Sequence, residues 1–335
     1  MKIGVIGAGS WGTALSQMLA TKGLNVNLWA RRPEVVASIN ANHINQRYFS
    51  DVTLSSNIVA TVGYEDCLMN AEAIAVVTPS NLLRGVARAL AAAGAADDLP
   101  IIICSKGVEA VSGLLPTQIF EEEMGNVSRL AVLSGPNHAE EVIAGMPAAT
   151  VIASRNADTT SFLQSVFATE NFRTYTSTDV VGVEVCAACK NVIAIAVGLS
   201  YGLGYGDNTA SLLITRGLAE MGRLVSALGG DALTCMGLAG TGDMIATCMS
   251  QHSRNRRFGE RLAAGGSLDD FCEETHMVVE GALASKTLLP LAKRAGVELP
   301  IAEVVRQVVW EGADASKAAI ELARRPLREE FYGLS

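Results

Sequence analysis

Lys190 is the residue whose setting points most directly to chemistry. It lies in a mostly apolar segment, 187–193, that predicts a helix. Burial disfavours an ammonium group, so we expect the pKa of Lys190 to be lowered toward neutrality. Such an amine can exchange a proton with the oxygen that gains negative charge when a carbonyl is reduced. A lysine can also extend from a helix edge into water, and its neighbours decide between the two interpretations.

Two charged residues elsewhere in the chain suit the same reaction. Lys106 follows an apolar run at 101–104 that predicts a strand, and open α/β sheets bind ligands beyond the carboxyl ends of their strands. We expect Lys106 to position a substrate and to stabilise negative charge on its oxygen. Asp243 ends the glycine-rich segment 237–243. Its carboxylate is expected either to hold the Lys190 ammonium in place or to oppose the lowering of its pKa.

The segment Ser253-Arg254-Asn255 precedes a predicted helix. Hydroxyl, guanidinium and amide donors near a helix N-terminus are typical of a phosphate site. The same residues also fit a capping serine followed by a solvated arginine. If the segment binds phosphate, the substrate is phosphorylated and is not a free hydroxy acid.

A glycine motif near the start of the chain predicts a dinucleotide site. Gly7, Gly9 and Gly12 fit the pattern G-x-G-x-x-G, which directly follows an apolar run at 2–6 and opens a predicted helix. Gly7 permits a tight turn, Gly9 lets the backbone approach a pyrophosphate, and Gly12 allows close packing of helix on strand. The pyrophosphate is expected against free N–H groups at the helix N-terminus.

The residues after the second predicted strand indicate which dinucleotide is preferred. An NAD site usually has Asp or Glu about 20 residues after the motif, where it binds the ribose 2′-hydroxyl. This chain has Arg31 and Arg32 there. Two guanidinium groups suit a 2′-phosphate, so we predict NADP(H) as the favoured cofactor and NAD(H) as the second. The alternative is an ordinary solvated basic pair.

The elements that position these residues follow from the apolar pattern. In the first half, short apolar runs alternate with helical patterns, which predicts parallel βαβ units with helices on both faces of a sheet. From Asp179 onward the periodicity is helical. We therefore predict an α/β fold with an N-terminal Rossmann-like, doubly wound sheet in residues 1–178 and a C-terminal all-α helical domain in residues 179–335. Strands are expected at 2–6, 26–29, 58–61, 73–77, 101–104, 130–133 and 150–153, and the longer helices at 11–22, 34–40, 82–92, 180–199, 208–228, 256–264, 282–294 and 301–310.

Composition disfavours several classes of partner. The chain of 335 residues is 49% apolar and 18% charged, with a net charge of −8 at pH 7. Without a basic stripe, binding to nucleic acid or to an anionic membrane is disfavoured. The seven cysteines have no regular spacing, which predicts reduced thiols and no metal site.

The chain also lacks the usual signs of export or membrane insertion. It shows no signal segment and no stretch that approaches about 20 apolar residues, so we expect a cytoplasmic enzyme without a membrane span. The apolar content leaves room for a homodimer interface.

Together, these segments resemble the bacterial NAD(P)-dependent glycerol-3-phosphate dehydrogenases. The resemblance runs from the first strand to about Trp310 and rests on GAGSWGTAL, CSKG, LSGP, KNVIAIAVGLSYGLGYGDN, ITRGLAEM, GLAGTGDMIATC, SRNRRFG and VVEG. It implies the reversible reduction of dihydroxyacetone phosphate to sn-glycerol 3-phosphate with NAD(P)H, which supplies phospholipid synthesis. It also implies a Rossmann-like domain followed by a helical domain.

The resemblance further implies roles for individual residues. Lys190 matches the proton donor and acceptor of the family, and Lys106 matches a residue that touches both cofactor and substrate. The other implied cofactor contacts are Ser10, Trp11, Arg31, Arg32, Ala139, Arg254, Val278 and Glu280. The other implied substrate contacts are Gly135, Asn137, Asp243, Ser253, Arg254 and Asn255.

One substrate loop departs from the commonest family pattern. It reads Ser134-Gly135-Pro136-Asn137-His138, where many relatives have Ser and Phe after the proline. Asn137 can still form hydrogen bonds to substrate oxygens.

Two other functions fit parts of the chain. A β-hydroxyacid or 6-phosphogluconate-type dehydrogenase has the same layout, and a non-catalytic NADPH-binding sensor keeps the glycine motif. The segment ending in Asp243 and the cluster 253–255 argue against the first. The combination of Lys106, Lys190 and Asp243 argues against the second.

Overall fold

The chain forms two compact units. The computed structural model describes residues 1–275 and 278–323, together with Pro326, Glu329, Glu330, Tyr332 and Gly333. One unit comprises residues 1–105 and 116–180, and the other comprises residues 106–115 and 181–335. The domain boundary expected after residue 178 stays a prediction. The compact units divide near it, and the helical unit also includes the segment 106–115, which carries Lys106.

The first unit is built on an eight-stranded sheet. Its strands are β1 (Lys2–Ile6), β2 (Asn25–Trp29), β3 (Ile58–Thr61), β4 (Ala73–Val76), β5 (Ile101–Ile103), β6 (Leu130–Ser134), β7 (Ala148–Ser154) and β8 (Phe172–Ser177). Their order across the sheet is β3-β2-β1-β4-β5-β6-β7-β8. The predicted strands are all present, and the α/β fold with a Rossmann-like first part is confirmed.

The direction of β7 differs from the parallel arrangement that the sequence predicted. β6 and β7 are antiparallel, whereas the other neighbouring pairs are parallel. Antiparallel neighbours need no long crossover connection. The connection between β6 and β7 contains only a five-residue helix, Ala139–Ile143. An apolar run reveals a strand but not its direction, so this reversal could not be predicted.

Seven helices accompany the sheet in the described part of the first unit. They are α1 (Ser10–Thr21), α2 (Pro33–Asn42), α3 (Tyr64–Leu68), α4 (Leu83–Ala92), α5 (Pro116–Met124), α6 (Ala139–Ile143) and α7 (Ala157–Phe167). Every residue of β4 and β6 is buried, as expected for apolar strands covered on both faces. β1 lies between β2 and β4, so the chain reverses its winding direction beside β1. Ligands of such sheets bind at this switch point.

The described part of the second unit is helical. Its helices are α8 (Val180–Gly202), α9 (Asp207–Ala227), α10 (Asp243–Met249), α11 (Arg254–Ala263), α12 (Leu268–Thr275), α13 (Glu280–Arg294), α14 (Pro300–Glu311) and α15 (Ala315–Ala323). The five longer predicted helices correspond to α8, α9, α11, α13 and α14. The short helices α10, α12 and α15 were not predicted because each spans fewer than three turns, and so short a segment gives a weak periodic signal.

Helix α8 is longer and more apolar than the sequence analysis expected of any segment of this chain. Its mean hydropathy over the most apolar window is 2.0, and by length and composition it could cross a membrane. The sequence showed no uninterrupted apolar stretch of this length, because Lys190 and Asn191 divide the apolar run. However, 94% of that window is buried inside the protein. This burial is typical of a core helix, which accounts for the apolar composition without a membrane.

Candidate active site

A buried carboxylate joins the two predicted lysines in the second unit. Lys190 of α8 donates from Nζ to Oδ1 of Asp243 over 2.5 Å. Lys106 donates to the other oxygen, Oδ2, over 2.6 Å. Lys190 is 6% exposed and Asp243 is 2% exposed. The structure therefore brings together the three residues for which the sequence predicted chemistry.

Thr247 is a fourth member of this cluster, and the sequence did not predict it. Its Oγ1 accepts a hydrogen bond from Nζ of Lys190 at 2.8 Å and donates to Oδ1 of Asp243 at 3.2 Å. Residues four apart lie on the same face of a helix. The spacing of Asp243 and Thr247 was the available signal, but it could be used only once helix α10 was known to start at Asp243.

The charges of this cluster set the protonation states of its members. Burial lowers the pKa of Lys190 to about 8, while the Asp243 carboxylate acts to raise it and the Lys106 ammonium acts to lower it. Burial alone would raise the pKa of Asp243, but the two ammonium groups outweigh it and hold that pKa below its usual value. Asp243 is therefore an anion near neutral pH, and Lys190 can gain or lose a proton there.

The predicted phosphate cluster begins helix α11. Oγ of Ser253 accepts a hydrogen bond from the backbone N–H of Arg256 at 3.3 Å, so Ser253 caps the helix as the alternative interpretation expected. The Ser253 hydroxyl still has its own proton to donate. Within the described part of the chain, the half-buried Arg254 side chain makes no hydrogen bond or ion pair. Its guanidinium is therefore available to an anion.

Asn255 connects this cluster to the lysine pair. Its Nδ2 donates to Oδ1 of Asn191 at 2.9 Å, and its Oδ1 accepts from the backbone N–H of Gly281 at 2.9 Å. Asn191 directly follows Lys190 on α8. The segment 253–255 and Lys190 therefore belong to one continuous group of contacts within the second unit. One N–H of the Asn255 amide remains for another partner.

The glycine motif has the geometry expected for a pyrophosphate cradle. Gly7 has a φ of +123°, a conformation that L side chains rarely adopt, and it follows β1 directly. A Cβ on Gly12 would lie 1.8 Å from the backbone oxygen of Gly7, whereas a Cβ on Gly9 would have no neighbour within 4 Å. Space therefore lies beside Gly9, next to the first turn of α1, which has no side-chain cap. This open backbone fits a dinucleotide.

The other cofactor residues predicted in the first unit occupy three places. Ser10 and Trp11 begin α1, and the Trp11 ring also packs on the core, 6.4 Å from the ring of Phe172. Arg31 is exposed and Arg32 is half-buried after β2. Neither guanidinium has a hydrogen bond or ion pair within the residues that the structure describes. Ala139 begins α6.

The predicted substrate loop follows β6 in the same unit. A Cβ on Gly135 would lie 2.8 Å from the backbone oxygen of Ala149, so only glycine fits there. Asn137 donates from Nδ2 to that same oxygen at 2.9 Å. Its Oδ1 is buried and accepts no hydrogen bond from the described residues. The NH2 group of Asn137 therefore binds the protein backbone, while its Oδ1 can still accept a hydrogen bond from a ligand.

The remaining predicted residues lie in the second unit. Val278 is 47% exposed and precedes α13, and Glu280 is the first residue of that helix. Among the described residues, no group of three or more His, Cys, Asp or Glu side chains is arranged to hold a metal ion. The proton chemistry that this site offers is that of its two lysines and their shared carboxylate.

Both halves of the chain match models of one protein family. Residues 2–160 match the model described as NAD-dependent glycerol-3-phosphate dehydrogenase N-terminus, and residues 179–320 match the model of its C-terminus. The chain is 42% identical over 334 residues to glycerol-3-phosphate dehydrogenase [NAD(P)+] of Chlorobium phaeobacteroides, covering 99% of this chain and 100% of that protein. It is 45% identical to the protein of the same name from Nitratidesulfovibrio vulgaris, with 98% and 100% covered.

Solved structures agree with these sequence matches. Glycerol-3-phosphate dehydrogenase from Coxiella burnetii superposes with a TM-score of 0.93 at 36% identity, over 97% of this chain and 99% of that one. A ketopantoate reductase from Ralstonia eutropha superposes with a TM-score of 0.60 at 18% identity, which shows a shared fold alone.

Proposed function

The chain belongs to the NAD-dependent glycerol-3-phosphate dehydrogenase family, and from this premise we propose how its residues act in that family's reaction. The reaction is the reversible reduction of dihydroxyacetone phosphate to sn-glycerol 3-phosphate with NAD(P)H. The observation that carries the assignment of residues is the carboxylate of Asp243, which binds Lys190 with one oxygen and Lys106 with the other.

Lys190 transfers the proton in this proposal. When bound, the reduced nicotinamide supplies the hydride to the ketone carbon, and the ketone oxygen gains negative charge. The Lys190 ammonium donates a proton to that oxygen, and the neutral amine accepts it in the reverse direction. A pKa of about 8 supports both roles because neither protonation state is rare near neutral pH.

Lys106 and Asp243 prepare this transfer. The ammonium of Lys106 stabilises the developing negative charge on the substrate oxygen. Asp243 orients both ammonium groups and counters the effect of burial on Lys190. Thr247 fixes the direction of Lys190 through its hydrogen bond. The cluster is therefore organised before substrate arrives, which lowers the cost of reorganisation in the transition state.

The segment 253–255 holds the substrate phosphate in this proposal. Arg254 has no partner within the described residues and its side chain is partly buried. Among the residues that the structure describes, Ser253 and Asn255 each keep one proton that is not donated to a partner. A guanidinium with neighbouring hydroxyl and amide donors binds a phosphate dianion well. Gly135 and Asn137 stay predicted substrate contacts.

For the cofactor, the open backbone at Gly9 and the first turn of α1 fit the pyrophosphate. We assign the 2′-phosphate of NADPH to Arg31 and Arg32, which favours NADPH over NADH. Ser10, Trp11, Lys106, Ala139, Arg254, Val278 and Glu280 stay predicted cofactor contacts. A cytoplasmic location, a role in phospholipid supply and a homodimer complete the proposal, and light scattering of the purified protein checks the last.

An absorbance assay at the reduced-nicotinamide band tests the function. NADPH is offered with dihydroxyacetone phosphate, with a 3-oxo acid, or with the oxidised product of 6-phosphogluconate and carbon dioxide. We expect oxidation of NADPH only with dihydroxyacetone phosphate. Turnover with either of these two alternatives but not with dihydroxyacetone phosphate would show that the rival dehydrogenase class is correct.

A further inference from the structure

Arg256 connects three helices of the second unit. Its Nε pairs with Oε1 of Glu260 at 2.9 Å within α11. One terminal nitrogen donates to the backbone oxygen of Met249, the last residue of α10. Its guanidinium carbon lies 4.8 Å from the ring centroid of Tyr201, near the end of α8. With 18% of its side chain exposed, Arg256 makes these contacts largely out of water.

The aromatic ring below Arg256 is itself held in place. The hydroxyl of Tyr201 donates to Oδ1 of Asp207, at the start of α9, over 3.0 Å. It also lies 3.9 Å from the sulfur of Met249. A guanidinium over a fixed ring face gains electrostatic attraction, and more so when it is shielded from water.

The backbones of α8 and α11 meet close to this contact. A Cβ on Gly198 would lie 1.9 Å from the backbone oxygen of Arg256, and a Cβ on Gly259 would lie 2.2 Å from the backbone oxygen of Ile195. The two helices therefore approach each other too closely for any side chain between them. This close packing holds the middle of α11 against α8. The contacts of Arg256 hold the first turn of α11, at the N-terminal end of that helix.

These helices carry the separate parts of the proposed site. Lys190 lies on α8, Asp243 starts α10, and Arg254 is the first residue of α11. The Arg254 guanidinium has no hydrogen-bond partner within the described chain, so the backbone of the first turn of α11 decides where it points. The hydroxyl of Ser253 caps that turn through the backbone N–H of Arg256.

We propose that Arg256 is a positioning residue for substrate binding. It acts through Arg254 and Ser253 by holding the first turn of α11 against the ends of α8 and α10. We do not assign it as a phosphate ligand, because its Nε and one of its terminal nitrogens bind Glu260 and Met249 and hold the guanidinium over Tyr201. This inference rests on the proposed function, since it assumes that the segment 253–255 binds the substrate phosphate.

Steady-state kinetics of Arg256→Met test the inference, after the wild type has been shown to reduce dihydroxyacetone phosphate. Methionine keeps most of the length of the side chain but removes its charge and its donors. We expect the KM for dihydroxyacetone phosphate to rise about tenfold or more, which is the effect of weakening one charge-assisted contact. The kcat changes less than about threefold because the proton-transferring pair is not touched. The pH above which kcat/KM for reduction falls should stay near 8, as in the wild type.

Three further variants separate positioning from stability. Arg256→Lys keeps the charge and should recover part of the lost affinity for substrate. Tyr201→Phe keeps the ring beneath the guanidinium, and it should retain a KM near the wild-type value. Tyr201→Ala removes the ring and should raise the KM in the same direction as Arg256→Met, so it replaces that variant if the methionine protein does not fold.

Three results of these measurements would contradict different parts of the argument. A lowered Tm with an unchanged KM in Arg256→Met would mean that Arg256 is only structural and would overturn the inference. A shifted pH limb would overturn it as well, because Arg256 would then act on Lys190. A wild type that does not reduce dihydroxyacetone phosphate would overturn the proposed function instead.

Discussion

Lys190 and Asp243 form a buried ion pair in which Nζ and Oδ1 are 2.5 Å apart. Burial pushes the lysine toward its neutral form, and the carboxylate pushes it back toward the ammonium. The balance gives a pKa of about 8. A lysine buried to this degree without a partner would be mostly neutral at physiological pH. The pair therefore keeps a proton donor in a place where an isolated amine could not supply one.

Lys190→Ala should abolish turnover and leave cofactor binding intact. We expect kcat to fall by about 10³-fold, a typical effect of losing a general acid. The dissociation constant for NADPH, measured by fluorescence titration, should change less than about twofold because the dinucleotide motif lies in the other unit. Lys293→Ala, at an exposed position of α13, is the matched control. Unchanged turnover in Lys190→Ala would contradict the assignment and favour a cofactor-binding sensor.

Asp243→Asn should weaken both catalysis and the fold. The amide is similar in size but leaves two ammonium groups without their shared counter-charge, so the pKa of Lys190 should fall further. We expect kcat for ketone reduction at neutral pH to fall on the order of 10²-fold. Loss of one partner from a buried pair should lower the free energy of unfolding by about 3 kcal/mol, as measured by urea titration.

The exposed Asp270 of α12, which accepts a hydrogen bond from Ser267 just before that helix, provides the control for that variant. Asp270→Asn should leave both kcat and the urea midpoint near the wild-type values. If the pH limb of Asp243→Asn moves to higher pH, the carboxylate does not raise the pKa of Lys190, and its proposed role is wrong.

The two directions of the reaction should respond oppositely to pH. Reduction requires the Lys190 ammonium, so its kcat/KM should fall as pH rises above about 8, approaching tenfold per pH unit. Oxidation requires the neutral amine, so its kcat/KM should rise up to about pH 8 and then level off. Initial rates between pH 6 and 10 in buffers of constant ionic strength check both limbs. If kcat/KM instead changed with a midpoint near pH 10.5, the ordinary pKa of lysine, the amine would not be desolvated.

The same shift has a consequence for stability. The native pKa of Lys190 lies below its unfolded value, so the unfolded chain binds more protons between about pH 8 and 10.5. The contribution of this residue to the free energy of unfolding therefore increases with pH in that window. Lys190→Met should lack this contribution. When the pH is raised from 8 to 9.5, the urea midpoint of this variant should therefore increase less than the urea midpoint of the wild type. Parallel pH dependences would contradict the lowered pKa.

The sequence predicted most of the sheet because its inner strands are apolar on both faces. Short, continuous apolar runs such as those of β4 and β6 are typical of strands that helices cover on two sides. The antiparallel direction of β7 was missed because direction is set by the connection and not by the residues of the strand. Helix α10 was missed because its seven residues follow a glycine-rich turn and show no clear period.

The candidate site was predictable at the level of residue types but not of contacts. Lys190 could be identified from its apolar surroundings, and Asp243 from the segment that it ends. The hydrogen bond between Asn191 and Asn255 joins residues 64 positions apart, and no local pattern encodes it. Likewise, Arg256 looks like one of several surface cations in the sequence, and only the folded chain shows it against Tyr201 and Met249.

Arg31 and Arg32 should determine the preference between the two dinucleotides. The double variant Arg31→Ala, Arg32→Ala removes the groups proposed to bind the 2′-phosphate. Loss of these charge-assisted bonds should raise the KM for NADPH by about 10- to 100-fold and leave the KM for NADH nearly unchanged. Arg155→Ala, at an exposed site that pairs with Glu121, is the control. Equal affinity of the wild type for NADH and NADPH would contradict the assignment of the 2′-phosphate to Arg31 and Arg32.

Gly9→Ala should separate cofactor binding from folding. Gly9 has a φ of −76°, which any residue can adopt, and a Cβ there would have no neighbour within 4 Å. Alanine should therefore leave the Tm unchanged or slightly raised. If the pyrophosphate lies against this backbone, the added methyl group occupies its place, and the affinity for NADPH should fall at least about tenfold. Calorimetric titration with NADPH and a thermal melt measure the two effects.

Gly12→Ala is the contrasting variant in the same motif. A Cβ at Gly12 would lie 1.8 Å from the backbone oxygen of Gly7, so α1 could not keep its position against the turn after β1. This variant should lower the Tm by several degrees even without cofactor, since a backbone clash costs on the order of 1–3 kcal/mol. Tight NADPH binding by Gly9→Ala would show that the pyrophosphate does not lie at Gly9, whatever the stability of Gly12→Ala.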